Sequence, residues 1–415
     1  MAIETAVITG VAKTSTGTIS YEKSGFGTPQ CAIIFTSRAS SSTNPRAGSG
    51  MSIGFTDGTR HKLCMVGGDD AVNPSVNGKE SDTGILSAMI VGDRTNDFEA
   101  SFDSWATDGI TLDFTTNPAA EPCYLTILLI KGCDNYYVGS ESLTTTGVND
   151  ITSPGFKGNL LFGATIGAGT EIADYARSMI SFGAAHNSSG DVVTQGATAW
   201  LLNSGVTPEQ SWNVTRNDCC CYDDWDEWKA SAESFDSSGF SINTAAVSPA
   251  NSFFFYMLLD TGDTNGVSVD IVDSPTSTGT WNVEDPGFEP QSVILGLGTT
   301  TTVNTDINAD PMGFGLSMFD DTNEACVGIN VNHAATTTDQ QSNWSSTNAV
   351  QVYEYSSGHV KMHEGSFTSF DSLGYNMSFP TSVDGTARKW LSVAIASGSS
   401  VSPLAVNHLN KLNNG

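Results

Sequence analysis

Apolar residues in this chain of 415 residues fall into two kinds of short run, and each has the stamp of a strand. In the first kind they alternate with polar residues, as in Ile110/Leu112/Phe114, Phe240/Ile242 and Tyr375/Met377/Phe379. Period two predicts strands with one buried face. In the second kind they are almost continuous: Tyr124 to Ile130, Phe253 to Leu259 and Trp390 to Ile395, with shorter versions at Ala32 to Phe35 and Ser292 to Leu295. Such runs suit central strands covered on both faces.

These runs recur in a fixed order with three landmarks. The first is a Gly followed eight residues later by Gly-Phe: Gly17 to Gly25-Phe26, Gly147 to Gly155-Phe156, and Gly279 to Gly287-Phe288. The second is Ser-Phe-Asp and then a Gly: Ser101-Phe102-Asp103 with Gly109, Ser234-Phe235-Asp236 with Gly239, and Ser369-Phe370-Asp371 with Gly374. The third is the continuous apolar run, ending at Gly132, Gly262 and Gly398. Successive copies are offset by 130 to 136 residues at every landmark. The chain therefore reads as one all-β module repeated three times.

The second landmark predicts a hairpin, with Asp103, Asp236 or Asp371 closing the turn through its carboxylate. Gly109, Gly239 or Gly374 is expected to supply a positive φ. Roughly seven or eight strands per copy predict three tandem β-sandwiches with jelly-roll-like or Greek-key wiring. The copies are assigned to residues 1–135, 136–265 and 266–400, with 401–415 left as a polar tail. Open sheet edges are a liability, so a homo-oligomer is expected, a trimer among the options.

Composition supports strands over helices: 42 Gly, only 15% charged residues, and an apolar fraction of 39% that includes 20 Phe. Seventeen basic against 45 acidic residues leave −28, a field that repels nucleic acid and anionic lipid. The charge is uneven. Residues 5–135 carry 9 basic and 14 acidic residues (−5), 136–265 carry 4 and 15 (−11), and 266–400 carry 3 and 15 (−12). The first copy is thus expected to dock on another protein. No run is apolar enough for a membrane helix, and Met1-Ala-Ile-Glu-Thr lacks a basic leader, so synthesis in a host cytoplasm is expected.

Candidate chemistry is sparse. Trp225-Asp226-Glu227-Trp228 has two indoles with acidic neighbours, suited to stacking on a sugar and bonding its hydroxyls. Trp105 and Trp344 are single candidates of the same type. His359 and His363 lie four apart, but on a strand that separation is about 13 Å, too far to share a metal. Cys219-Cys220-Cys221 reads as a strand whose thiols alternate faces. No nucleophile elbow, phosphate loop or dinucleotide fingerprint occurs. No catalytic residue, metal or cofactor is expected.

The order Gly-Phe (Gly25-Phe26), Ser-Phe-Asp (Ser101 to Asp103) and apolar strand ending in Gly (Leu125 to Gly132), with its counterparts in the later copies, resembles a repeat domain of structural proteins of tailed bacteriophages. The resemblance covers nearly the whole chain. It implies a non-enzymatic component of the virion surface, such as a capsid decoration, head fibre or tail accessory protein, bound to other virion proteins. It carries over no catalytic residue, because the matched positions are turns and core. The alternative is an adhesin or carbohydrate-binding protein that reads a cell-surface glycan with its aromatic loops.

Overall fold

The computed structural model describes residues 3–39, 46–68, 76–90, 93–116, 123–166, 173–175, 177–188, 192–203, 210–223, 228–246, 253–307, 313–331, 340–355 and 359–396. The tail at 401–415 lies outside them.

The first module contains β1 (Glu4–Val11), β2 (Gly17–Glu22), β3 (Cys31–Ser37), β4 (Arg46–Ala47), β5 (Ser49–Thr56) and β6 (His61–Gly68). It continues with β7 (Val76–Ser81), β8 (Gly84–Ile90), β9 (Asp93–Ala106), β10 (Gly109–Phe114) and β11 (Tyr124–Lys131). The second module contains β12 (Asn135–Glu141), β13 (Gly147–Ile151), β14 (Leu160–Ile166), β15 (Ala173–Tyr175), β16 (Arg177–Ser188) and β17 (Val192–Asn203). It continues with β18 (Gln210–Arg216), β19 (Cys221–Asp223), β20 (Trp228–Asp236), β21 (Gly239–Thr244) and β22 (Phe254–Asp260). The third contains β23 (Val267–Asp273), β24 (Gly279–Val283), β25 (Pro290–Leu297), β26 (Gly313–Asp320) and β27 (Glu324–Val331). It ends with β28 (Gln340–Ser345), β29 (Val350–Tyr355), β30 (His359–Phe370), β31 (Tyr375–Ser382) and β32 (Lys389–Ala396).

Each module folds ten of its strands into a six-stranded and a four-stranded sheet, more strands than the seven or eight expected. The large sheets run β1-β11-β3-β5-β6-β7, β12-β22-β14-β16-β17-β18 and β23-β32-β25-β26-β27-β28. The small sheets run β2-β10-β9-β8, β13-β21-β20-β19 and β24-β31-β30-β29. Each module is sandwich-like, because one apolar layer fills the space between its two sheets. The first module's layer includes Ala32, Ile34, Leu112, Phe114 and Leu129.

The other face of each large sheet explains the continuous apolar strands. Matched rows cross the three sheets in register: Val7, Leu128, Ile33 and Phe55; Val138, Met257, Phe162 and Ala184; Val269, Val393, Ile294 and Met318. All twelve residues lie in one buried cluster drawn from all three modules. Alternation along β3 then places Ile33 and Phe35 in the shared core and Ala32 and Ile34 in the module's own layer. The modules are therefore not beads on a string. Their large sheets surround a common centre in quasi-threefold fashion, with the small sheets outside.

The large sheets also exchange edge segments in a cycle. The first module's β4 pairs with β28 of the third. The second module's β15 pairs with β7 of the first. The third module's Val303 and Ile307 bridge to Thr215 and Asn213 on β18 of the second. Each donor follows the central strand of its module, and each module covers the edge of the preceding one. Among the described residues one edge of each large sheet, at β7, β18 and β28, is thus met by a segment of the chain itself.

Two landmark roles are corrected here. Gly109, Gly239 and Gly374 do not have positive φ; that backbone belongs to Gly17, Gly147 and Gly279 and to Gly25, Gly155 and Gly287. The hairpin glycines are required by space. A Cβ there would collide with the carbonyl oxygens of Tyr21, Ile151 and Val283, where the first strand of each small sheet crosses. Asp236 and Asp371 do close their turns, each Oδ1 accepting backbone N–H bonds from the residues two and three further on. Asp103 does not. The longer hairpin of copy one carries β9 on to Ala106, leaving Asp103 exposed within the strand and bonded by Ser104 Oγ. Asp108, in this turn, instead ties down the loop after β2, accepting bonds from Gly25 N and Gly27 N at 3.1 and 2.8 Å.

A methyl group at Gly239 or Gly374 must displace backbone, so Gly239→Ala and Gly374→Ala should each cost about 2 kcal/mol or more. Urea unfolding checks this; losses within about 0.5 kcal/mol would show that the crossing strand yields freely.

Candidate functional site

The aromatic loop singled out in the sequence does not form a described binding face. Trp225, Asp226 and Glu227 lie outside the described residues. Trp228 opens β20 and is 1% exposed, packed between the sheets of the second module. It cannot stack on a sugar. The alternation Trp228/Ala230/Ala232 against Lys229/Ser231/Glu233 was the sequence signal for this inward face. Trp105 is half-buried against Phe102, with ring centroids 4.9 Å apart, and its indole occupies the space beside Gly58.

Trp344 is also buried, but at a junction between modules, where its ring stacks on Tyr124 at 4.0 Å. Of the three adjacent cysteines only Cys221 lies in a strand. Cys219 and Cys220 precede it in a bend, and all three are buried free thiols. His363 sits on β30 as expected of a strand residue, buried against Trp390.

What the structure does assemble is three seams between neighbouring modules, built from matched positions with unlike side chains. The first such position lies two residues beyond Phe55, Ala184 and Met318, at Asp57, His186 and Asp320. Asp320 Oδ2 accepts the N–H of Val7 on β1 at 2.7 Å. Asn323 Nδ2 donates back to Val7 O at 2.8 Å. Asp57 Oδ2 accepts the N–H of Val138 on β12 at 3.1 Å. Each carboxylate thus satisfies an edge group of the next module's first strand, a group that would otherwise be left unpaired in a closed seam.

The second module has His186 in this place. Its ring is buried, and burial lowers its pKa to about 4 against a backbone bond at Thr264 and the charge of Asp263, which act the other way.

A second matched position joins each module's sixth large-sheet strand to the start of the next module's last strand. Glu80, Thr215 and Trp344 pair across their own sheets with Cys64, Thr198 and Val327. Trp344 stacks on Tyr124, Thr215 Oγ1 donates to Lys389 O at 2.9 Å, and Glu80 Oε1 accepts Phe253 N–H at 3.3 Å. Glu80 is the costly choice. It is 3% exposed, and burial raises its pKa to about 9 against the bond from Phe253.

Open clefts accompany two of the seams. One of about 490 Å³ lies between the first and third modules, lined by Glu4, Lys23, Phe26, Glu289, Asp320 and Phe370 among others. The other, about 380 Å³, lies between the first and second modules beside Glu80. Among the described residues no group of three or more His, Cys, Asp or Glu side chains is arranged to hold a metal ion.

No known family model matches the chain, and no curated protein matches it.

Glu80 and His186 each predict a pH dependence. The folded state keeps a proton on Glu80 that the unfolded chain loses above about 4.5, so stability should fall as pH rises from there to about 9. Glu80→Gln should flatten that limb in thermal unfolding scans; an unchanged slope would remove Glu80 as its source. His186 acts in the opposite direction. The unfolded chain binds a proton below about 6.5 that the folded state refuses until about 4, so stability should drop as pH falls through this window. His186→Gln should relieve part of that acid loss. Trp344→Ala should cost about 3 kcal/mol or more by denaturant unfolding, since it empties both a core position and a ring stack.

Proposed function

We propose that this protein is a non-enzymatic structural component of a tailed-phage virion, attached to the capsid or tail surface as one preassembled quasi-threefold unit. The observation that carries this reading is the shared core. A single chain here supplies three like modules around one centre, with seams already closed. Such a body presents three similar outer sheets at fixed angles, and a symmetric particle offers sites that match such a body. The repeated landmarks serve turns and close backbone crossings, which fits a part whose purpose is shape. The formal charge of −28 suits a particle surface that must stay soluble and avoid nucleic acid.

Within this reading the first module supplies the docking face. Its segment 5–135 carries −5, against −11 and −12 for the other two, and so meets the least repulsion from an acidic partner surface. Buried residues of the first module are committed to the common core, so docking must use its outer sheet and loops.

Immunogold electron microscopy with antibody to the purified chain should label capsids or tails of phage particles from a lysate containing the protein. Unlabelled particles would contradict the virion role. Cross-linking mass spectrometry on purified particles should then place partner cross-links mainly on the first module; cross-links confined to residues 136–400 would reverse the docking assignment.

A further inference from the structure

The cleft beside Glu80 sets carboxyl groups against an aromatic wall. It is lined by Lys79, Glu80, Ser81, Asp82, Thr83 and Glu99 from the first module and by Phe253 and Phe255 from the second. Three carboxyl groups line it, and two of them have cations of their own. Lys79 pairs with Glu99, and Lys62 pairs with Asp82. Lys62 Nζ also lies 5.8 Å from the centre of the Phe255 ring, so this aromatic wall already faces one ammonium.

Glu80 is the third carboxyl. Its Oε1 takes the Phe253 N–H, while Oε2 is buried with no hydrogen-bond partner. An orphaned buried carboxyl oxygen is costly, and a missing ion is one of the things that completes such a group. At the matched positions Thr215 donates to Lys389 O, and Trp344 stacks on Tyr124 with its indole Nε1 unpartnered, so Glu80 alone of the three leaves a carboxyl oxygen in that state.

We infer that this cleft is a binding site for a primary ammonium group, carried either by a free amine or by the lysine tip of a partner protein, with Glu80 as its counter-ion. The aromatic walls select an organic cation, because an ammonium gains from ring faces and its alkyl stem is covered by them. A bare metal ion gains nothing from Phe253 and Phe255 and needs several oxygens at once. Entry of the cation ionises Glu80, so one proton leaves for each ammonium bound. No proton leaves if the group merely rests on the ion pairs already present.

The test uses the full-length protein and n-propylammonium chloride, with tetramethylammonium chloride at equal ionic strength as the control. Near pH 7.5 propylammonium should raise the thermal midpoint above the control. Calorimetric titration in buffers of differing ionisation enthalpy should show roughly one proton released per amine. Glu80→Gln, checked for folding by circular dichroism, should weaken binding roughly tenfold or more and abolish the proton release. A short lysine-bearing peptide separates the sources: tighter binding than propylammonium assigns the site to a protein partner, and equal binding assigns it to free amines. Equal effects of the two ammonium salts on the wild-type protein would overturn the inference, as would binding without proton release or binding undiminished in Glu80→Gln.

Discussion

The structure depends on the burial of the second face of each large sheet. A six-stranded sheet with Ile33, Phe162 or Ile294 on one face and Ile34, Leu161 or Leu295 on the other cannot be satisfied by one small sheet. Each module must find another apolar surface, and the two other modules provide it. Magnitudes show which contact dominates. Fully burying one aliphatic or aromatic side chain contributes about 1.5–3 kcal/mol, whereas a backbone hydrogen bond nets about 1 kcal/mol. Among the described residues the common cluster holds forty buried apolar residues, all but three cysteines and three alanines of that larger kind, while the exchanged segments β4 and β15 are only two and three residues long. The core joins the modules, and the exchanged edges set their register and block stray pairing.

Fusing three copies into one chain releases the seams from symmetry. In a trimer of identical chains every interface must use the same residues. Here the seams have diverged. One matched position carries Asp57, His186 and Asp320, and the other Glu80, Thr215 and Trp344. The seam between the third and first modules, which closes the cycle, uses a carboxylate clamp and a ring stack. The other two seams each hold a titratable buried group. The Glu80 contribution is lost as pH rises from about 4.5 and the His186 contribution as pH falls from about 6.5, so the two together favour the folded state most between those values.

Much of the fold was legible because its landmarks are backbone constraints. Gly25, Gly155 and Gly287 need positive φ, and Gly109, Gly239 and Gly374 have a carbonyl where a side chain would go. Neither constraint tolerates substitution, so the spacing survives in all three copies. The continuous runs at Tyr124 and Trp390 correctly announced burial on both faces. What they could not announce was the owner of the second covering surface, since an apolar strand reads alike whichever sheet covers it. The exchanged strands are too short to carry a period. Trp228 misled because a tryptophan with acidic neighbours on one side reads as a loop, although the residues after it alternate as a strand. The seam residues were hidden for a different reason. They are defined by the contrast among copies at one register position, and that register is visible only once the strands are paired.

The shared core is tested most directly by denaturant unfolding followed with one probe in each module, such as single fluorophores on exposed Val11, Val148 and Leu373 replaced by cysteine. The account predicts one transition, with coincident midpoints and a slope appropriate to the whole chain. Three separable transitions, or one module unfolding while the others remain native, would show that each module stands alone and that the common core does not hold them together.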